Sequence, residues 1–375
     1  MKITVKKAPV VVGLALIFTI VSCKNDNKID TDKPPFDREV MLENIGNNII
    51  IPNYNVLLTN LQSLKQSTDL FTAAPDAARL DECRSAFLSS YKAWQHCSAI
   101  EIGPAEQKLL RANVNTFPTD TTKINHNIQS GKYNLLAASN LTAKGFPAID
   151  FLLFHPSSTA GIISQFTNAE NAVKRKQYLN TLVSELVGLV TAVNNQWKAT
   201  GGNYIKTFTT SLGNDAGSSI GVLVNQLNYD YEILKTNKLA IPFGKKSLGT
   251  PYPEKVEGYY CGKSMDLIKE HLKAIECLYL GKNSEGQDKT GLDDYLIHLN
   301  AKHNDKSLDN AIKEQFGSIK NAAAVVPDPL PSAILNNASE VNSAYIEVQK
   351  GVVLLKADMP SALGVLITYQ DNDGD

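Results

Sequence analysis

Apolar residues recur every three or four positions along most of the chain, which is the spacing of one face of an α-helix. Runs that alternate apolar and polar residues, as β-strands do, are almost absent. Each apolar stripe needs a partner face, so the pattern predicts an all-α fold, a two-lobed bundle in which helices pack on helices. The stripes comprise Leu80, Cys83, Phe87, Tyr91 and Trp94; Leu179, Leu182, Leu186, Leu189, Val193 and Trp197; Leu223, Leu227, Tyr231 and Leu234; Leu267, Ile268, Leu272, Ile275 and Tyr279; Leu308, Ile312, Phe316 and Ile319; and Val341, Tyr345, Val348, Val352 and Leu355.

Segments rich in glycine and proline separate these stripes. They are Gly201-Gly202, residues 213–221, residues 242–253 and residues 327–331. We expect residues 38–375 to form the helical domain, with a seam between its two lobes somewhere in residues 160–215.

The first 22 residues have the composition of a signal peptide. A lysine-rich start is followed by an apolar run over residues 10–21, which is short for a helix that must cross a ~30 Å hydrocarbon core. Residues 20–23 read Ile-Val-Ser-Cys and fit the lipobox that precedes a lipidated cysteine. We therefore predict a signal peptide over residues 1–22 and lipidation of Cys23. The alternative is an ordinary secretory signal with a cysteine at this place by coincidence.

Residues 23–37 are predicted to be the lipidated cysteine and a flexible tether. The segment is polar, contains Pro34-Pro35 and has too few apolar residues to order itself. Lys24 is not the aspartate that retains lipoproteins at the inner membrane, so the outer membrane of a bacterial envelope is favoured. The whole chain carries a net charge of −1 without a concentrated basic face, which argues against a nucleic-acid partner.

Four further cysteines follow the lipobox: Cys83, Cys97, Cys261 and Cys277. The first two are predicted to lie on one helix and the last two on another, roughly 20 Å apart in each pair, so no disulfide forms within a helix. Pairing between helices stays open. No CxxC motif or Cys/His cluster is present, which argues against a structural zinc site.

Several stretches, in this order, resemble the imelysin-like family. They are Trp94 with Ile102-Gly103-Pro104; Thr116-Phe117-Pro118-Thr119-Asp120; Gly145-Phe146-Pro147-Ala148-Ile149-Asp150-Phe151-Leu152-Leu153-Phe154; Gly262-Lys263-Ser264-Met265-Asp266-Leu267 with Tyr279-Leu280-Gly281; and Ala362-Leu363-Gly364-Val365 with the final Asp371-Asn372-Asp373-Gly374-Asp375. The resemblance spans roughly residues 40–375. It implies a two-lobed helical envelope protein linked to iron uptake, in a family that includes a membrane-associated protease.

The family signature is GxHxxE, in which the histidine and glutamate share a helix face and can hold one metal ion together with a third acid from a W-x-x-x-E pattern. This chain departs from the signature at each ligand. The histidine position holds Pro147, the glutamate position holds Asp150 and the third acid falls on Ser98. The family-motif positions of this chain are Trp94, Ser98, Asp120, Gly145, Pro147 and Asp150.

Three acids remain candidates for weak metal binding: Asp120, Asp150 and Glu101, which lies one turn beyond Ser98. Two carboxylates with water can hold a hard cation weakly. The structural alternatives are that Asp150 stabilises the positive end of its helix and that Asp120 caps a turn or helix.

A replacement for the lost histidine is also conceivable. His96 or His126 takes that role only if the fold brings it beside Asp150; otherwise each is a solvated or locally bonded side chain.

Three functional hypotheses follow. The first is a non-enzymatic envelope lipoprotein that binds a ligand in iron or haem uptake and whose metal site is weakened or lost. The second is an interaction or assembly lipoprotein with an envelope protein partner and no metal. The third, a metallopeptidase, is disfavoured because Pro147 replaces the motif histidine. The cofactor is left open between iron, another divalent cation and none, and the membrane is an expected partner through the lipid anchor.

Overall fold

The structure is a computed structural model that describes residue 2 and residues 34–369. Cys23, most of the predicted tether, the final Asp-rich residues and all of the predicted signal peptide except residue 2 lie outside the described residues. The first half of the described chain consists of α1 (Arg38–Asn44), α2 (Ile51–Ala73), α3 (Ala77–Gln95), α4 (Pro104–Gln107), α5 (Leu110–Val114), α6 (Thr121–Ser130), α7 (Gly145–Phe154), α8 (Thr159–Thr167) and α9 (Ala172–Trp197), with a 3₁₀ turn at Ala138–Ala143.

The second half continues in the same helical manner. Its elements are α10 (Tyr204–Thr210), α11 (Ser219–Glu232), α12 (Ser264–Tyr279), α13 (Leu292–His298), α14 (Leu308–Ala324), α15 (Leu330–Asn336), α16 (Ala338–Val352) and α17 (Met359–Leu363), a 3₁₀ turn at Pro253–Lys255, and a small antiparallel hairpin of β1 (Lys302–His303) and β2 (Lys306–Ser307). The prediction of an all-α fold is confirmed.

Three long helices contain a π-helical segment. Ile45–Ile50 connects α1 with α2, Ile233–Ala240 extends α11, and Val353–Asp358 connects α16 with α17. A π-helical turn shifts the register of the side chains that follow it, and such turns are frequent at functional sites. The segment after α11 contributes three residues to the cavity described below.

The predicted apolar stripes form the core. The α3 stripe, from Leu80 to Trp94, is completely buried, because α3 packs between α2 on one side and α12, α7 and α8 on others. Helix α2 also packs along α9, whose Trp197 is fully buried at its C-terminal end. Residues from Asp37 onward cluster as one compact unit; the seam between two lobes stays a prediction.

The cysteines lie close to their predicted places. Cys83 is within α3, but Cys97 follows the end of α3 and Cys261 precedes α12, so the placement of each pair on a single helix was wrong by a few residues. All four of these cysteines are free. Among the described residues, no helix has the length and apolar character needed to cross a bilayer.

Candidate functional site

Helix α7 carries the family motif and begins at Gly145, as the helix-entry interpretation of this stretch expects. Gly145 has a φ of +70°, and a Cβ atom built on it would lie 2.1 Å from the carbonyl oxygen of Val114. Only glycine allows α7 to start this close to the end of α5. Pro147 follows in the first turn, where its missing N–H costs nothing.

Asp150 is buried, and both of its carboxylate oxygens already have donors. Oδ2 accepts a hydrogen bond from the backbone N–H of Tyr260 at 2.9 Å, and Oδ1 accepts one from the N–H of Cys261 at 2.8 Å. Burial raises the pKa of Asp150 to about 7, although the Tyr260 donor opposes the shift. The side chain thus fastens the loop before α12 to α7.

Pro147 and Asp150 line a cavity of about 250 Å³, which we call the motif cavity. Its other lining residues are Phe117, Pro118, Thr119, Thr121, Glu254, Lys255, Val256, Gly258, Tyr259 and Tyr260. No histidine faces it.

The other two candidate acids serve local structure. Asp120 is exposed, and its Oδ1 accepts a hydrogen bond from the N–H of Lys123 at 2.9 Å, so it is the N-cap of α6. Glu101 is buried, and its Oε2 accepts from the N–H of Arg111 at 2.9 Å. Burial raises the pKa of Glu101, against the opposing charge of Arg111.

The two candidate replacement histidines lie elsewhere. His96 Nε2 is 3.1 Å from Glu270 Oε2, and His126 is exposed on α6. Neither lines the motif cavity that contains Asp150.

These placements do not fit the family's metal site. Pro147 offers no donor atom, and the oxygens of Asp150 are used by backbone N–H groups. Within residues 34–369, no group of three or more His, Cys, Asp or Glu side chains is placed to hold a metal ion.

A second cavity, of about 300 Å³, lies on the other side of Phe117 and contains the two remaining motif positions, Trp94 and Ser98. We call it the Trp94 cavity. Its other lining residues are Glu101, Leu109, Arg111, Ala112, Asn115, Thr116, Phe117, Tyr229, Asp230, Ile233, Asn237, Lys238 and His271.

Three buried polar side chains meet at the base of the Trp94 cavity. The hydroxyl of Ser98 donates to Asp230 Oδ2 at 2.9 Å, and the same oxygen lies 2.5 Å from His271 Nε2. Burial would raise the pKa of Asp230, but His271 and then Arg111 outweigh it and hold the pKa below its usual range. Burial lowers the pKa of His271. The two side chains therefore form one coupled buried pair.

This cluster differs from a catalytic triad. In a triad the acid binds Nδ1 of the histidine while the serine binds Nε2. Here Asp230 and Ser98 both approach Nε2, and Nδ1 of His271 has no hydrogen-bond partner among the described residues. The Ser98 hydroxyl can donate to Asp230 Oδ2 at 2.9 Å or to the carbonyl oxygen of Gln95 at 3.2 Å. Asp230 therefore does not orient His271 through Nδ1, as the acid of a triad does.

Arg111 joins the cluster to the wall of the cavity. Its Nη2 donates to the carbonyl oxygen of Ser98 at 2.7 Å, and its Nε lies 3.8 Å from Asp230 Oδ1. The guanidinium also stacks over the ring of Tyr229, 5.0 Å from the ring centre. Asp230 and Arg111 thus place one negative and one positive charge side by side.

A second buried ion pair lies behind the first. Lys238 Nζ is 2.8 Å from Glu257 Oε2 and donates to Gln95 Oε1 at 2.6 Å. Asn115 donates to Glu257 Oε1 at 2.7 Å. Burial would raise the pKa of Glu257, but Lys238 outweighs it and keeps the pKa low. The charge of Lys238 is therefore matched within the protein.

Besides His271 Nδ1, two polar atoms of the Trp94 cavity lack a hydrogen-bond partner among the described residues. They are Trp94 Nε1, a donor, and Asp230 Oδ1, an acceptor. Both side chains have no exposed surface. An unpaired buried polar group costs about 1–3 kcal/mol, so these atoms favour a bound molecule that pairs with both.

The sequence reasoning found Trp94, Ser98 and Glu101 but missed Asp230 and His271. A local signal existed for His271, which lies in the apolar stripe of α12 between Leu267 and Ile275. A single ionisable residue in an otherwise apolar helix face needs a buried partner. No sequence pattern identifies Asp230 as the partner of His271.

The fold and the two cavities define a helical protein with a polar cavity beside a motif that has Pro147 at the histidine position. The chain belongs to the imelysin family: the family model Imelysin (peptidase M75) matches residues 50–356.

Individual relatives agree with this assignment. Iron-regulated protein A of Synechococcus elongatus is 20% identical over 303 residues, which cover 78% of this chain and 77% of that protein. The crystal structure of an iron-regulated protein A precursor from Parabacteroides distasonis superimposes with a TM-score of 0.73 at 16% identity, covering 89% of this chain and 97% of that one. An imelysin-like protein from Psychrobacter arcticum gives a TM-score of 0.68 at 16% identity, with the same coverages.

Proposed function

We propose that this protein is a non-enzymatic binding lipoprotein of the bacterial envelope, working in iron uptake, and that it binds its ligand in the Trp94 cavity. The observation that carries the proposal is the pair of unpaired buried atoms, Trp94 Nε1 and Asp230 Oδ1, in a cavity of about 300 Å³. This volume is at the lower end of the range for small-molecule sites, which favours a small ligand over haem.

The link to iron is supported by the names of relatives. Two of them, from Synechococcus elongatus and Parabacteroides distasonis, are described as iron-regulated protein A or its precursor. From this regulation by iron we infer that the present chain takes part in iron uptake. We do not infer a bound iron ion, because the altered motif does not assemble a ligand set.

The absence of enzymatic activity is part of the proposal, although the family carries a peptidase name. A metallopeptidase needs a metal-bound water and a general base, and the motif offers Pro147 and a carboxylate held by two N–H donors. A serine hydrolase needs an acid on Nδ1 of the histidine that activates the hydroxyl, whereas Asp230 and Ser98 both approach Nε2 of His271.

The anchoring is tested by the variant Cys23→Ala. A lipid anchor with more than one acyl chain holds a protein firmly at a membrane. We expect the unaltered protein to sediment with the membrane fraction and to incorporate labelled palmitate, whereas the variant is released into the soluble fraction. Release of both proteins alike contradicts the anchor.

The role in iron uptake is tested in a strain of the source bacterium that lacks the gene. Uptake of radioactive iron under iron limitation should fall and should recover with the unaltered gene. Normal uptake in the deletion strain contradicts the proposed role.

The fate of the family's metal site is tested separately by iron titration in a calorimeter. The unaltered protein and Asp150→Ala are expected to give the same trace as the dilution blank. A stoichiometric heat that Asp150→Ala abolishes contradicts the loss of the site.

A further inference from the structure

The base of the Trp94 cavity sets two opposite requirements on a ligand. Trp94 Nε1 needs an acceptor, and Asp230 Oδ1 needs a donor. Hydrogen bonds to charged groups contribute about 1.5–3 kcal/mol each, more than neutral ones do. A ligand therefore gains most when its donor is an ammonium group facing Asp230.

The charges of the cavity restrict the ligand further. Arg111 Nε lies 3.8 Å from Asp230 Oδ1, so a simple amine that binds Asp230 also meets the positive guanidinium. A simple anion that binds Arg111 meets the negative carboxylate. Lys238 is already matched by Glu257 at 2.8 Å, and Glu101 already accepts from the N–H of Arg111. The adjacent charges of Asp230 and Arg111 therefore favour a ligand that carries both a positive and a negative group.

Apolar side chains and an aromatic ring also line the cavity. They include Phe117, Ile233, the ring of Tyr229 and Leu109. Leu109 is 63% exposed and has a left-handed backbone with a φ of 47°, a conformation that is uncommon for a leucine. These walls suit an apolar body attached to the charged groups.

We propose that the Trp94 cavity binds a free α-amino acid with an apolar side chain. The ammonium group donates to Asp230 Oδ1, the carboxylate accepts from Trp94 Nε1 and faces Arg111, and the side chain packs against Leu109, Phe117 and Ile233. This assignment rests on the binding role proposed above and names its ligand class; it does not involve iron.

The first experiment uses the unaltered protein. The twenty proteinogenic L-amino acids are screened individually by thermal shift, and the amino acid with the largest shift is titrated by calorimetry. It is compared with two halves of itself, the carboxylic acid without the amino group and the amine without the carboxylate. We expect each half to bind at least ~10-fold more weakly. The assignment is overturned if no amino acid binds, or if one half binds as tightly as the whole.

The second experiment uses a matched pair of variants, since the chain has two tryptophans. Both are fully buried and both have an Nε1 without a partner among the described residues. Trp197 packs edge-on against Tyr204, 4.9 Å between ring centres, and does not line the Trp94 cavity. We expect Trp94→Phe to weaken amino-acid binding roughly 5- to 10-fold and Trp197→Phe to leave it unchanged. Equal affinities in the two variants overturn the assignment.

Trp197→Phe also leaves Trp94 as the sole fluorescent indole. Its emission should change saturably with the same dissociation constant as in calorimetry. A binding heat without any change in Trp94 emission places the ligand elsewhere and overturns the assignment.

These outcomes separate the ligand class from the wider role. Absence of amino-acid binding, together with a defect in iron uptake in the deletion strain, overturns the ligand class alone. Amino-acid binding together with normal iron uptake supports the ligand class and overturns only the link to iron.

Discussion

At the scale of single residues, Asp150 shows how a motif position can be retained for a different purpose. Its carboxylate accepts from the N–H groups of Tyr260 and Cys261, so it positions the loop that precedes α12. Asp150 is one methylene shorter than the glutamate of the family motif, and Pro147 stands where that motif has its histidine. Asp150 is therefore a buried acid with a structural role.

Asp150 should leave a signature in the pH dependence of stability. Burial raises its pKa from 3.8 to about 7, so between these values the folded chain binds a proton more tightly than the unfolded chain. The contribution of Asp150 to the free energy of unfolding therefore falls as pH rises from about 4 to about 7, by on the order of 2–4 kcal/mol.

Asp150→Asn, which cannot titrate, should lack this fall. Urea denaturation of both proteins across this pH range measures the difference. Stability curves that run parallel in the two proteins contradict the raised pKa.

Gly145 is expected to be irreplaceable for a steric reason. Gly145→Ala should cost roughly 2–5 kcal/mol, because alanine is strained at a φ of +70° and its Cβ meets the carbonyl of Val114. Gly188→Ala is the matched control, since no heavy atom lies within 4 Å of its added Cβ in the interior of α9. There alanine should stabilise by about 0.5–1 kcal/mol. Similar thermal denaturation midpoints for both variants contradict this reasoning.

At the scale of helices, Asp120 distinguishes a cap from a ligand. Asp120→Ala removes the hydrogen bond to the N–H of Lys123 and should destabilise the protein by about 1 kcal/mol, without affecting any iron titration. Ser158→Ala removes the equivalent cap of α8, where the hydroxyl accepts from Gly161, and should cost a similar amount. A variant Asp120→Ala with unchanged stability and an altered titration contradicts the cap.

The helices were predictable from sequence because their information is local. The α3 stripe from Leu80 to Trp94 repeats at helical spacing, and burial of that face follows directly. The Trp94 cavity was only partly predictable, because its chemistry comes from distant parts of the chain. Ser98 and Asp230 are separated by 132 residues, and Ser98 and His271 by 173. The spacing of residues within one segment cannot predict contacts between residues so far apart in the sequence.

The π-helical segment after α11 is a second feature that the sequence did not predict. Its apolar residues read as a continuation of the α11 stripe, ending at Leu234, which is buried as predicted. The π-helical segment Ile233–Ala240 changes the register of this helix, and its residues Ile233, Asn237 and Lys238 line the cavity. Periodicity predicted the helix but not this shift.

At the scale of the whole molecule, the C-terminal segment supports the cavity wall. Asn225 on α11 donates to the carbonyl oxygen of Leu366 at 2.9 Å and accepts from the N–H of Thr368 at 2.8 Å. One turn along α11, the ring of Tyr229 contacts the ring of Tyr369, with 5.4 Å between their centres. Tyr229 therefore packs between the chain terminus and Arg111.

Truncation after Val365 should loosen this wall and weaken amino-acid binding roughly fivefold, the equivalent of about 1 kcal/mol. Truncation after Tyr369 is the matched control, since it keeps the contacts of Asn225 and Tyr229. Calorimetric titration of both proteins with the same amino acid measures the effect. Equal losses in the two truncated proteins contradict the supporting role of the segment.

The free thiols have a consequence for redox chemistry. Burial raises the pKa of Cys83 to about 11 and also raises the pKa of Cys97, Cys261 and Cys277. Since the thiolate is the form that attacks oxidants and disulfides, the folded protein presents very little of it. In the oxidising envelope where we place this protein, these cysteines are vulnerable to crosslinking chiefly before folding. Burial of these four thiols on folding thus lowers their reactivity toward the oxidants of that compartment.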